Sequence, residues 1–147
     1  LDVTTRAAFQ AWVAEHGVAC VNHRGGKVFE CESVDASLVS GDAGELGLTT
    51  AWFAFGSGDT LASVKTVRRS DTPDGVAAAF NANADRVTRE AGAPKVRAGE
   101  ATPEVLANGL LRQASVEYRF GDYRAVLRAT HMPDGFVLTE SYASLTN

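Results

Sequence analysis

The spacing of apolar residues predicts a helix near the start of the chain. Phe9, Trp12 and Val13 recur within one helical turn of each other, so they share one face of a helix extending from Thr5 to His16. Gly17 follows, and glycine commonly ends helices because it readily adopts positive φ. We interpret the shared face as one that packs on the core.

A second, longer helix is predicted from Thr72 to Ala91. Thr72 stands at the N-cap position, Pro73 is at the first helical position, and Gly92 follows the end. The apolar residues that recur at three- and four-residue spacing are Val76, Phe80, Ala84, Val87 and Ala91. We expect this face to pack on the sheet residues Phe53, Phe55, Tyr118 and Leu127.

Two cysteines lie opposite each other in the first predicted hairpin. Its strands flank Gly25-Gly26, where both residues can adopt positive φ. A turn centred there places Cys20 opposite Cys31, at a separation that a disulfide allows. A four-residue loop over 24–27 makes them a non-hydrogen-bonded pair, whose Cα atoms are closer, so we favour that loop. We predict a disulfide, and the alternative is a pair of reduced buried thiols in a cytosolic protein.

A second hairpin is predicted from strands Leu48 to Phe55 and Thr60 to Arg69. Alternation divides its side chains between a core face and the opposite face. The core face carries Ala51, Phe53, Phe55, Ala62 and Val64. Trp52 points the other way, beside Lys65.

The last forty residues are predicted to form three consecutive antiparallel strands. These strands are Ala114–Phe120, Tyr123–His131 and Phe136–Leu145. Between the last two, Pro133-Asp134-Gly135 fits a type I turn followed by a glycine bulge, which gives a three-residue loop. In that register Arg128 faces Glu140. A four-residue loop would instead place Glu140 opposite the core residue Leu127, so we favour the three-residue loop.

The remaining segments have weaker patterns. Residues Asp35 to Gly47 have no clear periodicity, so we interpret them as a solvated loop, and Asp42 and Glu45 lack the spacing of a calcium-binding EF-hand loop. An irregular stretch after the long helix extends to Ala101. A short helix follows from Pro103 to Asn108.

Together these elements predict a single α+β domain over residues 1–147. Two main helices pack on one face of a mostly antiparallel sheet of about seven strands, in the order α-β-β-β-β-α-(α)-β-β-β. The pattern leaves open whether the strands form one sheet.

Composition narrows the classes of protein. Apolar residues are 45% and charged residues 22% of the 147, as in ordinary globular proteins. The net charge of −4 argues against a nucleic-acid-binding protein, since phosphate binding needs a cationic excess. No apolar run approaches the roughly 20 residues that span a bilayer, so we expect no transmembrane segment. The abundance of Ala, Gly and Arg suggests a bacterial source.

The predicted disulfide favours an extracytoplasmic location (periplasm, cell envelope or secreted), and we expect that an upstream signal sequence has been removed.

No motif predicts catalysis. His16, His23 and His131 lie far apart in sequence, and none has metal-ligand spacing to another donor. Ser40 and Ser57 lie in glycine-containing turns rather than in a nucleophile motif. We therefore predict no catalytic residue, no metal and no cofactor, and regard an enzyme as the less favoured class.

One predicted surface has the residue types that are enriched in binding sites. Guanidinium groups pair with carboxylates and stack on aromatic rings. The candidate binding residues are Arg119, Arg124, Arg128, Tyr142 and Trp52. Glu117 and Glu140 are predicted to lie among them, so the alternative is a solvated sheet face on which acids and arginines pair across strands.

The leading hypothesis is a non-catalytic extracytoplasmic bacterial binding or assembly module that engages a protein partner or an anionic ligand. An inhibitor or immunity protein for a partner enzyme is an alternative of the same broad class. A small hydrolase, or a protein that binds a small molecule or lipid between helix and sheet, is the alternative from a different class. A sizeable apolar pocket with converging polar groups would favour that last reading.

Overall fold

The computed structural model describes residues 1–40, 46 and 48–146. The helices are α1 Arg6–His16, α2 Ala36–Ser40, α3 Pro73–Ala91 and α4 Pro103–Ala107. The strands are β1 Ala19–His23, β2 Val28–Asp35, β3 Leu48–Phe55, β4 Leu61–Ser70, β5 Val96–Ala98, β6 Gln113–Phe120, β7 Tyr123–Met132 and β8 Gly135–Ser144.

All eight of these strands form one antiparallel sheet, which settles the question that the sequence left open. Their spatial order is β1-β2-β3-β4-β8-β7-β6-β5. The last strand of the chain therefore pairs with β4 and joins the two halves of the sheet. The predicted α+β architecture is confirmed, with β5 as the additional strand. Three residues, Val96–Ala98, are too few to show a strand periodicity.

The two main helices lie on the same face of the sheet and cover different halves of it. The sheet is about 34 Å wide, from seven strand spacings of about 4.8 Å. One helix is only about 10 Å in diameter, so a single helix cannot cover that width. Phe9 of α1 packs on Phe53 and Phe55, with ring centroids 4.7 and 5.5 Å apart.

Helix α3 covers the other half of the sheet. Its buried residues Val76, Phe80 and Val87 belong to one core cluster with Tyr118 and Leu127, as predicted. The prediction that α3 also covers Phe53 and Phe55 is wrong, because those rings belong to a separate core cluster under α1. Two hydrophobic cores therefore lie side by side beneath one continuous sheet.

The first hairpin confirms the predicted disulfide and its loop. Cys20 pairs with Cys31 across β1 and β2, and their sulfurs are bonded. The last pair before the turn is His23 with Val28, which leaves the four-residue loop 24–27. The Cα atoms of the cysteines are 4.0 Å apart, as suits a non-hydrogen-bonded pair.

The second hairpin contains a β-bulge that the sequence pattern did not indicate. Phe53 pairs with Val64, but the register then shifts and Phe55 pairs with Leu61. Leu61 is buried in the core under α1. It takes the core position that the prediction gave to Ala62, so the prediction for Ala62 is wrong.

The turn between β7 and β8 also differs from the prediction. Met132 pairs with Gly135, so Glu140 pairs with Leu127, and the predicted pairing of Arg128 with Glu140 is wrong. A Cβ atom at Gly135 would lie 2.8 Å from the carbonyl oxygen of Ser70, so the close approach of β8 to β4 requires glycine.

Short elements complete the covered side of the sheet. Helix α2 begins within the segment predicted as a loop, where the Asp35 carboxylate accepts hydrogen bonds from the backbone N–H of Ser37 (2.9 Å) and from its hydroxyl (2.8 Å). The predicted short helix is confirmed as α4. The acidic residues Asp42 and Glu45 lie outside the described residues.

Candidate functional site

One face of the sheet is covered by none of the described helices and is called the open face. It is defined by the cross-strand row Glu30, Trp52, Lys65, Ser141, Val126 and Glu117. Arg119, Arg124 and Arg128 lie on the same face, as does Trp52. Trp52 and Val126 are three strand spacings apart, or about 14 Å. The fold therefore places Trp52 and the arginines on one surface without bringing them into contact.

Two of the three arginines on the open face, Arg119 and Arg124, form hydrogen bonds with the Glu117 carboxylate. Arg119 Nε donates to Glu117 Oε1 at 2.9 Å, and Arg124 donates to Glu117 Oε2 at 2.8 Å. These hydrogen bonds lower the pKa of Glu117, and the one from Arg124 has the larger effect. Arg128 is exposed and forms no ion pair with any other described residue.

Trp52 has its own basic neighbour on the open face. The Lys65 ammonium lies 5.6 Å from the centre of the Trp52 ring, which is within the range of a cation–π contact. This confirms the predicted position of Trp52 beside Lys65.

Tyr142 lies on the opposite side of the sheet from the arginines. It pairs with Ala125 of β7 and Val64 of β4, whose side chains face the helices. The prediction that Tyr142 shares a surface with Arg119 and Arg128 is therefore wrong. The physical reason is the shift of the β7–β8 register, which turns Glu140 and Tyr142 toward the core.

Tyr142 lies instead in a cleft on the covered face, between the parts of the sheet that α1 and α3 cover, and this cleft is called the interhelix cleft. Its cavity has a volume of about 510 Å³. The apolar part of its lining is Leu1, Val39, Leu61, Val64 and Phe120, and the polar part is Arg86, Tyr123 and Tyr142. Arg124 also borders the cavity, although its side chain is hydrogen-bonded to Glu117 on the open face. An adjoining cavity of about 300 Å³ shares Val39, Leu61 and Val64 with it and reaches Trp12 of α1.

The cleft exists because neither main helix lies over the centre of the sheet. Helix α1 packs on the β2–β3 half and α3 packs on the β6–β8 half. The N-terminal segment crosses the gap, where Asp2 N–H donates to the Leu61 carbonyl at 2.9 Å and Leu61 N–H donates to the Thr4 carbonyl at 2.8 Å. Apolar side chains consequently line an opening that runs between the two cores.

A network of polar side chains leads from the core to the cleft. Glu140 is ion-paired with Arg68, and both side chains are buried, at 0% and 1% exposure. Asn83 Nδ2 donates to Glu140 Oε1 at 3.0 Å. The Tyr142 hydroxyl donates to Glu140 Oε2 at 3.3 Å and accepts from Arg86 at 3.2 Å.

The cleft end of this network presents the Arg86 guanidinium as a charged hydrogen-bond donor, beside a Tyr142 hydroxyl that donates its proton to Glu140. Burial, reinforced by the negative charge of Glu140, raises the pKa of Tyr142 to about 12, so its hydroxyl keeps its proton. Arg86 also donates to Glu90 at 3.2 Å. The Glu90 side chain is 63% exposed, whereas the Arg86 side chain is 24% exposed. An ion pair with a solvent-exposed carboxylate contributes little free energy, so the guanidinium can exchange that carboxylate for another anion.

The alternation of residues along β8 already indicated this buried network, but the three-residue loop predicted between β7 and β8 placed Glu140 and Tyr142 on the other face. On β8, Phe136, Leu138, Glu140 and Tyr142 alternate in one phase, and the first two are plainly core residues. Strict alternation places Glu140 and Tyr142 on the same side. The lining by Leu1 and Val39 had no such signal, because it depends on how the N-terminal segment and α2 fold back.

The described part of the chain has neither a metal-binding cluster nor a membrane-spanning helix. No group of three or more His, Cys, Asp or Glu residues within it is placed to hold a metal ion. None of its helices combines the length and the apolar character needed to cross a membrane.

Comparison of this chain with protein-family models, with curated proteins and with solved structures found no match.

Proposed function

We propose that the protein is a binding module that holds an elongated apolar ligand with an anionic head group in the interhelix cleft. The observation that carries this proposal is the cleft itself, whose volume of about 510 Å³ lies in the range of small-molecule sites. Apolar walls with a few polar groups at one end are the usual composition of such sites. This combines the anionic ligand of the leading sequence hypothesis with the helix–sheet location of its alternative.

The polar end of the cleft supports an anionic head group. Arg86 carries a positive charge, and its hydrogen bond to the Tyr142 hydroxyl oxygen at 3.2 Å holds it at this end of the cleft, so its guanidinium can bind a carboxylate. The ligand's anion would replace the exposed Glu90 carboxylate on Arg86. The apolar chain would extend along Leu61 and Val64 toward Trp12.

The disulfide supports an extracytoplasmic location for this binding function. Cys20 and Cys31 are bonded, and such bonds persist mainly in oxidising compartments. We propose that the protein acts in the periplasm, the cell envelope or the extracellular medium of a bacterium. Cell fractionation with an antibody to the protein would test this location.

Binding of a saturated fatty acid and of the matching alcohol would test the cleft. Dodecanoate and 1-dodecanol have the same apolar chain, and only the first has an anionic head group. Tryptophan fluorescence should respond to either ligand, because Trp12 lines the adjoining cavity. We expect dodecanoate to bind about tenfold more tightly than the alcohol, which corresponds to one charge-assisted contact.

Two arginine variants on the same helix provide a matched pair. Arg86→Met should remove the preference for dodecanoate while leaving binding of the alcohol. Arg89→Met, which changes an exposed arginine one turn away from the cleft, should leave the preference intact. The proposal would be overturned by a wild-type protein that binds neither ligand, or by an Arg86→Met variant that keeps the preference. Release of product from a dodecanoate ester would favour the hydrolase alternative.

A further inference from the structure

The open face is arranged asymmetrically about strand β4. On one side of β4, strand β3 carries the bulky Trp52. On the other side, strand β8 carries only small side chains at its middle positions, which are Thr139, Ser141 and Ala143. A large ring and a flat surface of small residues therefore lie at equal distances from β4, in the same cross-strand rows.

The charges of the open face follow the same division. Two strands away from β4 on the Trp52 side, β2 carries Glu30 and Glu32. Two strands away on the other side, β7 carries Arg124 and Arg128. Cys31 pairs with Ala51 and Val34 with Thr49, so a β-bulge places Glu32 and Ser33 together opposite Thr50. Thr50 belongs to the row of Val67, Thr139 and Arg128, so Glu32 lies beside that row.

We propose that the open face pairs with the open face of a second copy of this chain, about a two-fold axis running along β4. Such an axis brings β3 of one copy over β8 of the other, and β2 over β7. Trp52 then packs on Ser141 of the second copy, and Glu32 lies opposite Arg128 of the second copy. Each of these contacts occurs twice, as a two-fold axis requires.

Most charged groups of the open face already have a partner within their own chain. Glu30 is hydrogen-bonded to His23 at 3.1 Å, and Arg69 forms an ion pair with Asp134 at 2.8 Å. Arg119 and Arg124 both form ion pairs with Glu117. Lys65 lies on β4, so the axis also brings the two Lys65 side chains near each other, and each ammonium is held over its own Trp52. Glu32 and Arg128 form no ion pair with any other described residue of their own chain, and they are the two groups that the proposed axis brings together.

The size of the face is also sufficient. With β4 on the axis, seven of the eight strands overlap, over a width of about 29 Å at about 4.8 Å per strand spacing. Strands of about seven residues give a length of roughly 23 Å at about 3.3 Å per residue. The overlap is therefore roughly 650 Å², close to the approximately 800 Å² per partner of a standard stable interface. Two sheets stacked in this way have their strands nearly aligned, which is a common packing geometry.

Sedimentation velocity of the full chain would test the pairing through a charge exchange. Glu32→Arg alone and Arg128→Glu alone should each weaken the dimer at least about tenfold, because each places like charges opposite each other twice. The double variant Glu32→Arg/Arg128→Glu restores opposite charges and should recover the dimer. Arg89→Glu makes the same change in net charge as Arg128→Glu on helix α3, and it should leave the dimer unchanged.

Cross-linking would test the position of the axis independently of charge. Val67 lies on β4, so two Val67→Cys side chains would face each other across the axis, and a short bismaleimide cross-linker should join them. Val96 lies on the edge strand β5, outside the overlap, and is 54% exposed. Val96→Cys should therefore cross-link far more slowly.

A wild-type chain that sediments as a monomer at every soluble concentration would overturn the proposal, and would leave the open face to a different protein. A double charge-exchange variant that stays as weakly associated as the single variants would also overturn it. Equal cross-linking of Val67→Cys and Val96→Cys would show that the copies associate through another surface.

Discussion

The two faces of this sheet carry the same pair of residue types in two different settings. On the covered face, Arg68 and Glu140 form an ion pair at 1% and 0% exposure. On the open face, Arg124 and Glu117 form an ion pair at 44% and 19% exposure. Arginine and glutamate are thus used both as core groups and as surface groups within the same set of strands.

The difference shows why alternation in a strand is a better guide to burial than residue type. A buried ion pair must replace the water that both charges lose, which requires further hydrogen bonds. Glu140 receives them from Asn83 and Tyr142. Glu117 needs no such support, because it stays in contact with water and is shared by two arginines.

The largest expected effect comes from breaking the buried ion pair. Glu140→Gln keeps an acceptor for Asn83 but leaves the Arg68 charge buried without a counter-charge. We expect a loss of about 3–5 kcal/mol in the free energy of unfolding, measured by denaturant titration. Glu117→Gln is the matched change on the open face, and its unfolding midpoint should move far less.

A double variant separates the charge from the packing at the buried pair. Arg68→Met/Glu140→Gln removes both charges and should recover most of the stability that Glu140→Gln loses, since an uncompensated charge is the main penalty. A double variant as unstable as Glu140→Gln would mean that packing and hydrogen bonds, rather than charge, account for the loss.

Apolar side chains on the two faces should show the same contrast. Phe80 of α3 is 2% exposed in the core over β6–β8, so Phe80→Ala should lower the free energy of unfolding by about 3–5 kcal/mol through lost burial and a cavity. Val126 on the open face is only half-buried, and Val126→Ala should cost about 1 kcal/mol or less in an isolated chain. Similar losses for the two variants would mean that α3 does not seal this core.

Elements with strong local signals could be predicted from the sequence. The helix over 72–91 has a proline at its start, a glycine after its end and a regular apolar face, and the structure gives Pro73–Ala91. The Cys20–Cys31 pairing followed from the Gly25-Gly26 turn alone. In both cases the information lies within a few residues of the feature it determines.

Features that depend on distant packing could not be predicted. Local turn preferences at Pro133-Asp134-Gly135 favoured a three-residue loop, but burial of Glu140 with Arg68, 72 residues away in sequence, selects the other register. The same error displaced Tyr142 from its place in the cleft. The bulge that makes Leu61 a core residue likewise depends on pairing with the N-terminal segment.

A smaller effect on the covered face is expected from the alkaline titration of Tyr142. An ordinary tyrosine has a pKa of about 10, and burial raises that of Tyr142 to about 12. The unfolded chain therefore loses this proton first, so the stability contributed by the neutral hydroxyl is present below about pH 10 and is lost as the pH rises through about 12. Absorbance titration of tyrosinate should show a late component that Tyr142→Phe removes and Tyr123→Phe retains.

The smallest effect concerns Glu117 on the open face, and its pH dependence has the opposite sign. Hydrogen bonds from Arg124 and Arg119 lower the pKa of this carboxyl below its ordinary value of about 4.3. Its contribution to stability is therefore present above that ordinary value and is lost as the pH falls through the lowered one. The unfolding midpoints of wild type and Glu117→Gln should differ slightly at neutral pH and converge in acid. In a dilute, monomeric chain these charges are at least partly in contact with water, so added salt should also make the midpoints converge, whereas the loss caused by Glu140→Gln should persist in salt. A salt-independent difference at Glu117 would mean that this pair is shielded from water, as it would be if the open face were covered by a second copy.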